Sequence, residues 1–372
     1  MQILEVIDGL TVGGAEKMVL TLSRLFVERQ ISVSVVSFDP DWDAPYSIEL
    51  RKLGVPVHHL TGKLFNLCRI ERLVRLIRES RAEVVHTYLS YANIVGTIAA
   101  KMAGVPVIAS LRSISMEPYH PVRARIETWL MKHACDIVMA NGFSVAQAHQ
   151  PRLRDKKIQV IQNAIGITSL PSRDERIALR KELIGNPDRP LIISVGRLSP
   201  PKGYDTLIEA FSQVVLSFPE AALVIVGDGE LRSFLEETIV RFNLQNSIYL
   251  IGERSDIMRI LPAADIYVSS SHWEGMSVAI LEAMAAGLPV IATRVGDAQW
   301  VLTEQTGILI EPRIAREISQ SITKLLDNKP LQLQYGRMAR KRIETEYSLD
   351  RWCDRMLELY AKANPKIRFA YA

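Results

Sequence analysis

At 372 residues, with 48% apolar and 23% charged residues, the chain has an ordinary globular composition, and it exceeds the size at which one hydrophobic core keeps growing, so two domains are expected. A net charge of only +4 without aromatic stacking stations excludes a nucleic-acid binder. The three cysteines, Cys68, Cys135 and Cys353, are odd in number and lack CxxC spacing, which excludes a disulfide framework or zinc knuckle and reads as reduced, buried thiols in a cytoplasmic protein.

The chain opens with the strand pattern QILEVI and no basic region before it, so no signal peptide is expected. Asp8 and Gly9 follow, then VGGAE at Val12 to Glu16, which opens a helix; adjacent Gly13 and Gly14 let backbone approach a ligand closely, or simply form a flexible turn. GxGxxG is not satisfied, so no dinucleotide fingerprint is present. Further strand runs are SVSVVSF, VPVHHL, AEVVHTY, VPVIASL, CDIVMAN and KIQVIQN, with helical stretches between them. In RIERLVRLIRES, Arg69, Arg72, Arg75 and Arg78 fall opposite Ile70, Leu73, Val74 and Ile77, which reads as a solvated face or an interfacial membrane helix. ANIVGTIAAKMAGVPVIASL is broken by Lys101 and Pro106 and is read as buried helix, turn and strand, not a membrane span. Residues 1–165 hold 20 Lys and Arg against 15 Asp and Glu, and the remainder 25 against 26; the mild excess suits anionic lipid or an acidic substrate.

The polar segment 166–189 reads as a linker with a leading helix, after which the pattern restarts with PLIISVG, AALVIVG, SIYLIG, DIYVSSS, PVIATRV and TGILIEP. Short β-branched runs, each followed by a helix, indicate parallel strands buried on both faces. The expected architecture is α/β, with Rossmann-like domains at 1–165 and 190–346 whose strand ends face a cleft. A last helix in 347–372, SLDRWCDRMLELYAKA, has no strand after it and is expected to pack back on the first domain.

The richest segment is SSSHWEGMSVAILEAMAAGLPVIAT. A strand is followed by a helix expected to begin near Gly275 and Met276, whose unpaired N–H groups suit an anion such as a diphosphate. Glu274 lies at its mouth and Glu282 two turns on, about 12 Å along the axis. Two Glu on one helix are most often a solvated face or a cap. Here the surroundings of Glu282 are so apolar that a carboxylate needs a partner, which ribose hydroxyls would supply. In VGRLSPPKGYDTLIEAF, Arg197 follows a strand end and Lys202 precedes a helix expected from Tyr204, a pair suited to neutralising a diphosphate.

VGGAE, VGRLSPPKG, VGDGEL and WEGMSVAILEAMAAGLPVIAT, in this order, resemble the retaining glycosyltransferases of family 4, which have the GT-B fold. The resemblance implies that Glu274 contacts the donor sugar, Glu282 the ribose, Arg197 and Lys202 the diphosphate, and that Gly13 and Gly14 lie near it. Gly275, Met276, Ser277 and Val278, at the expected helix start, are donor-side candidates as well. Ser277 stands where the family usually has Gly, and Arg112, in IASLRSIS, where it often has His. Arg112 and His86 are the acceptor-side candidates, although a lone His at a strand end is more often structural. VIQNAIGI stands where NGID is common, so Asn163 marks a hinge start, and Arg254, in GERSD, is a candidate beside the base.

The reaction implied is transfer of a sugar from a UDP- or GDP-linked donor to a glycan or lipid-linked acceptor hydroxyl, with retention. The resemblance implies front-face attack in which the leaving phosphate takes the acceptor proton. No DxD-type metal motif accompanies these residues, so no metal and no cofactor are expected, and envelope polysaccharide or lipid-linked oligosaccharide assembly at the inner face of the membrane is the implied setting. A sugar-nucleotide 2-epimerase on the same fold would need general acid/base groups around the sugar, which this cleft offers few of. A silent binding protein would not need the full set of Glu274, Glu282, Arg197 and Lys202.

Overall fold

Runs such as SVSVVS and LIISV carry no alternating polar face, so they are stable only when both faces of their sheet are covered. The computed structural model describes residues 1–62, 67–114 and 121–367, and in it these runs form two parallel sheets. The chain divides into two compact units, Met1–Asn163 with Leu349–Ala372, and Ala164–Ser348.

In the first unit the elements run β1 (Gln2–Ile7), α1 (Gly14–Glu28), β2 (Ser32–Ser37), α2 (Pro45–Lys52), β3 (Val57–His59), α3 (Leu67–Glu79), β4 (Val84–Tyr88), α4 (Ser90–Ala103), β5 (Val107–Leu111), α5 (Pro121–His133), β6 (Ile137–Ala140), α6 (Phe143–Leu153) and β7 (Ile158–Val160). Seven strands stand in the order β3-β2-β1-β4-β5-β6-β7, paired parallel throughout. The order reverses between β1 and β4.

The second unit runs α7 (Arg173–Ile184), β8 (Leu191–Val195), a single 3-10 turn (Pro200–Lys202), α8 (Tyr204–Ser217), β9 (Ala222–Val226), α9 (Arg232–Arg241), β10 (Ile248–Leu250), α10 (Ile257–Ile260), β11 (Ile266–Ser269), α11 (Val278–Ala285), β12 (Val290–Thr293), α12 (Ala298–Val301), β13 (Gly307–Ile310), α13 (Ala315–Asp327) and α14 (Lys329–Glu346). Its six strands take the order β10-β9-β8-β11-β12-β13, reversing between β8 and β11. Alternate residues of β8 serve opposite cores: Leu191 and Ile193 pack with α11, while Ile192 packs with α8. The segment read as linker contains α7, which starts with a capping box between Ser172 and Glu175 and adds Leu179, Leu183 and Ile184 to the second core.

The last helix, α15 (Leu349–Ala363), belongs to the first unit. Arg29, the C-cap of α1, pairs with Asp350 at 3.0 Å, the rings of Phe26 and Tyr360 lie 6.0 Å apart, and the Asn364 amide donates to the Glu83 carbonyl at 2.9 Å.

Two expectations from the sequence change. Cys68 is exposed, so only Cys135 and Cys353 are buried thiols, Cys135 being pushed up to about 11 by burial. Arg69 does not share the solvated face of α3: it is buried, donates to the Tyr91 hydroxyl and the Gly62 carbonyl, and stacks 5.3 Å from the Phe38 ring. Its long stem and delocalised charge suit an aromatic niche, which a helical wheel cannot register.

Candidate active site

The carboxyl ends of β8 and β11 flank the point where the second sheet reverses, the place where open α/β sheets bind ligands. The loop after β8 carries Gly196 and Arg197, turns through Pro200–Lys202 and enters α8 at Tyr204 as expected. The loop after β11 carries Ser270 to Ser277. Hydrogen bonds tie the two loops together: the His272 N–H donates to the Pro201 carbonyl at 2.7 Å, and the Ser270 hydroxyl donates to the Lys202 carbonyl at 2.9 Å. Gly203, at φ +61°, lets them approach this closely, since a Cβ there would sit 2.3 Å from the Ser270 carbonyl oxygen.

That clamp brings Lys202 to Glu274. The Lys202 ammonium donates to Glu274 Oε1, which also accepts from the Ser271 hydroxyl at 3.2 Å. The side chains are 23% and 18% exposed, so the pair is sheltered yet reachable. Thr293 of β12 holds the Ser271 carbonyl at 2.6 Å, and the Asp297 N–H holds the Gly275 carbonyl at 2.8 Å. Gly296, at φ +54°, lies against the same backbone, where a Cβ would meet the Gly275 oxygen at 2.2 Å.

Helix α11 begins at Val278, with Ser277 as N-cap, two or three residues later than expected. Glu274 therefore sits in the loop and Glu282 on the second turn of α11, so the two do not share a helix face and the axial spacing read from the sequence does not apply. The Asp297 N–H takes the Gly275 carbonyl, which anchors the loop ahead of the helix. Ser277 makes no side-chain cap, Ser277 and Val278 are half-buried, and Met276 enters the core. Glu282 is 4% exposed, as its apolar surroundings implied. Behind both loops lie Tyr204 and Tyr267, fully buried; burial, Tyr204 and the two carboxylates Glu282 and Glu274 hold the Tyr267 hydroxyl well above its ordinary value.

Arg197 and Arg254 are placed differently. Arg197 is 74% exposed and faces Glu230 at 3.6 Å, so it does not join the Lys202–Glu274 pair. Arg254 is committed to Asp256 at 2.7 Å and Glu182 at 2.9 Å, with Arg259 bridging the same carboxylates. These carboxylates supply its donors' partners, and the place beside a base read from the sequence is not apparent.

In the first unit Gly13 is the N-cap of α1, extended and without a side-chain cap, and Gly14 is exposed. Asp8, at the end of β1, accepts from the N–H groups of Tyr91 (3.3 Å) and Ala92 (2.6 Å) at the start of α4; burial pushes it up to about 6. His86 does not reach a ligand-facing surface. It is fully buried, with Nδ1 2.8 Å from the Tyr360 hydroxyl and 2.9 Å from that of Tyr88, and Nε2 2.6 Å from that of Ser110. Burial and the Arg112 charge hold it well below its ordinary value, so it is a neutral structural imidazole. Arg112 packs 4.8 Å over the Tyr88 ring and donates to Asn163 Oδ1 at 3.1 Å. Asn163, read as a hinge marker, is thus a partner of Arg112.

The sequence profile described as "Glycosyl transferases group 1" matches residues 175–342, and that described as "Glycosyltransferase Family 4" matches residues 12–168, so the two cover nearly the whole chain. The chain belongs to glycosyltransferase family 4. Among curated relatives of this family 4 chain is the UDP-Gal:alpha-D-GlcNAc-diphosphoundecaprenol alpha-1,3-galactosyltransferase of Escherichia coli, 29% identical over 77% of each chain. The capsular polysaccharide biosynthesis glycosyltransferase CapM of Staphylococcus aureus is 23% identical over 86% of this chain and 87% of its own. Among solved structures, Anabaena HepE in complex with UDP-glucose superposes with a TM-score of 0.88 at 23% identity over 97% of this chain and 99% of its own, which establishes the GT-B fold.

Sequence reasoning passed over Tyr204, Tyr267, Ser271, His272 and Asp8. The tyrosines read as ordinary core. Asp8 had a signal, because it directly follows the strand at which the first sheet reverses. Among the described residues no group of three or more His, Cys, Asp or Glu side chains is arranged to hold a metal ion, and no helix is long and apolar enough to cross a membrane.

Proposed function

We propose that this family 4 glycosyltransferase moves a sugar from a nucleotide-diphosphate donor to an acceptor hydroxyl with retention at the anomeric carbon and without a metal ion. The observation that carries the reading is the Lys202–Glu274 pair, held at the β8/β11 reversal beside a helix start that no side chain caps. Breaking the anomeric C–O bond leaves positive charge on the sugar and negative charge on the diphosphate. Lys202 and the N–H groups of Ser277 and Val278 stabilise the departing phosphate where its charge develops. Arg197, exposed and weakly held, has the freedom to swing onto it. Glu274 binds the sugar hydroxyls and orients the anomeric carbon, a positioning role. Glu282 receives the ribose hydroxyls. Front-face attack, with the leaving phosphate accepting the proton, requires no carboxylate nucleophile.

HepE has been solved with UDP and with UDP-glucose, and the E. coli relative is named for a UDP-galactose donor and a diphosphoundecaprenol acceptor. These support a UDP-linked donor and a lipid-linked acceptor. The test is a panel of UDP- and GDP-sugars screened by thermal shift, then by slow hydrolysis without acceptor. One donor should stabilise the chain and be hydrolysed. Stabilisation by none refutes the reading, and release of an epimerised nucleotide sugar assigns the site to an epimerase.

A further inference from the structure

We infer that the loop between β2 and α2 binds a ring of a neutral oligosaccharide, with Trp42 as its stacking platform. The inference stands on the first unit alone and is independent of the transfer reaction. The loop leaves the carboxyl edge of the first sheet, where Ser37 ends β2 opposite Ile7 of β1. Asp39 lies against the neighbouring loop, since a Cβ on Gly9 would sit 3.3 Å from its Oδ2. Open α/β sheets bind their ligands along this edge. Trp42 stands in water there, 51% exposed.

The indole ring is braced. It lies 4.3 Å from the ring of His59, which is itself buried on β3. His59 Nδ1 donates to the Asp39 carbonyl at 2.7 Å, so Nε2 accepts from the Ser47 hydroxyl of α2 at 3.0 Å. Arg51 of α2 donates to the Trp42 carbonyl at 2.6 Å and holds its guanidinium 5.9 Å from the ring centroid. The Asp41 N–H donates to Asp39 Oδ1 and the Asp43 N–H to Asp41 Oδ1, both at 2.9 Å, which fixes the loop backbone. A large aromatic surface is thus held in place with little left to order on binding.

Among the described residues the indole N–H meets no acceptor, and Asp39, Asp41 and Asp43 form no ion pair. The platform therefore offers an aromatic face, an open donor, carboxylate acceptors and the Arg51 donors. A pyranose ring matches all four: its C–H face meets the negative face of the indole, and its hydroxyls both donate and accept. Other ligands match less well. Residues 39–43 hold three Asp and no Lys or Arg, which repels phosphates, nucleic acid and anionic headgroups. A cationic ligand would meet Arg51 already beside the ring.

The test titrates the full chain by calorimetry with maltohexaose, galactohexaose and chitohexaose as neutral probes, and with hexagalacturonate and the glucosamine hexamer as charged ones. At least one neutral probe should bind and shield Trp42 from acrylamide quenching, read as the difference between wild type and Trp42→Phe. Trp42→Ala should weaken that binding by at least about tenfold, and Trp42→Phe, which keeps an aromatic plane, should restore part of it. Melting temperature and donor hydrolysis without acceptor should be unchanged in Trp42→Ala, which separates the platform from folding and from the donor site. Glu274→Gln should bind the oligosaccharide as wild type does. Binding of no neutral probe, wild-type binding by Trp42→Ala, loss of binding in Glu274→Gln, or tighter binding of either charged hexamer overturns the inference.

Discussion

Replacing Glu274 by Gln keeps the shape of the side chain and removes the charge that faces Lys202. An ion pair at the surface contributes below about 1 kcal/mol, and breaking a fully buried one costs about 3–5 kcal/mol. Here the side chains are 18% and 23% exposed, and the Ser271 hydroxyl retains an acceptor in the Gln oxygen, so a loss of about 1–2 kcal/mol follows. For a unit the size of Ala164–Ser348 that is a fall of about 3–6 °C in melting temperature. Transfer should fall much further, by about 10²–10³ in kcat, because the sugar loses its orienting charge and Lys202 its partner. Calorimetry and initial rates of sugar transfer measure the two effects separately. Adding Lys202→Met should recover stability, since the uncompensated ammonium is gone, while leaving transfer lost. Near wild-type turnover in a folded Glu274→Gln chain would refute the assignment, as would recovery of transfer in the double variant.

Arg197→Ala should leave the melting temperature unchanged, its one ion pair being 3.6 Å long between exposed groups, while lowering kcat/KM by about 10–100-fold; an unchanged kcat/KM removes Arg197 from the donor site. Transfer should proceed at full rate in excess EDTA, and loss of rate restored by added manganese or magnesium would contradict the metal-independent reading. Glu5 is fully buried and raised from 4.5 to about 7 by burial, against hydrogen bonds from Ser23 and Tyr88 and the Arg112 charge. The folded chain therefore holds its proton where the unfolded chain has released it, and stability contributed by this group falls as pH rises from about 4.5 to about 7, by about 3 kcal/mol in all. Urea unfolding at both ends of that window should show the wild type losing this much relative to Glu5→Gln; identical pH dependence in the two chains refutes it.

The strands were legible in the sequence because parallel strands buried on both faces must be apolar without alternation. All thirteen runs appear, seven in one sheet and six in the other. The burial of Glu282 was readable for the same reason: ILEAMAA offers no polar face. The start of α8 at Tyr204 was readable from the Pro-Pro and Gly that precede it. Tertiary structure decided what depends on loops clamped from elsewhere. Glu274 lies in a loop outside α11 whose backbone is anchored by Asp297 and packed against Gly296, some twenty residues later. Lys202 and not Arg197 meets Glu274 because Ser270 and His272 bind the turn on the Lys202 side. His86 is structural because Tyr360, 274 positions away in the chain, returns on α15 to complete its pocket. Hydrophobic periodicity is a local property of the chain, so it reports elements and their buried faces. The partner of a polar side chain is chosen by which strand end or helix arrives beside it, and only the folded chain brings those together.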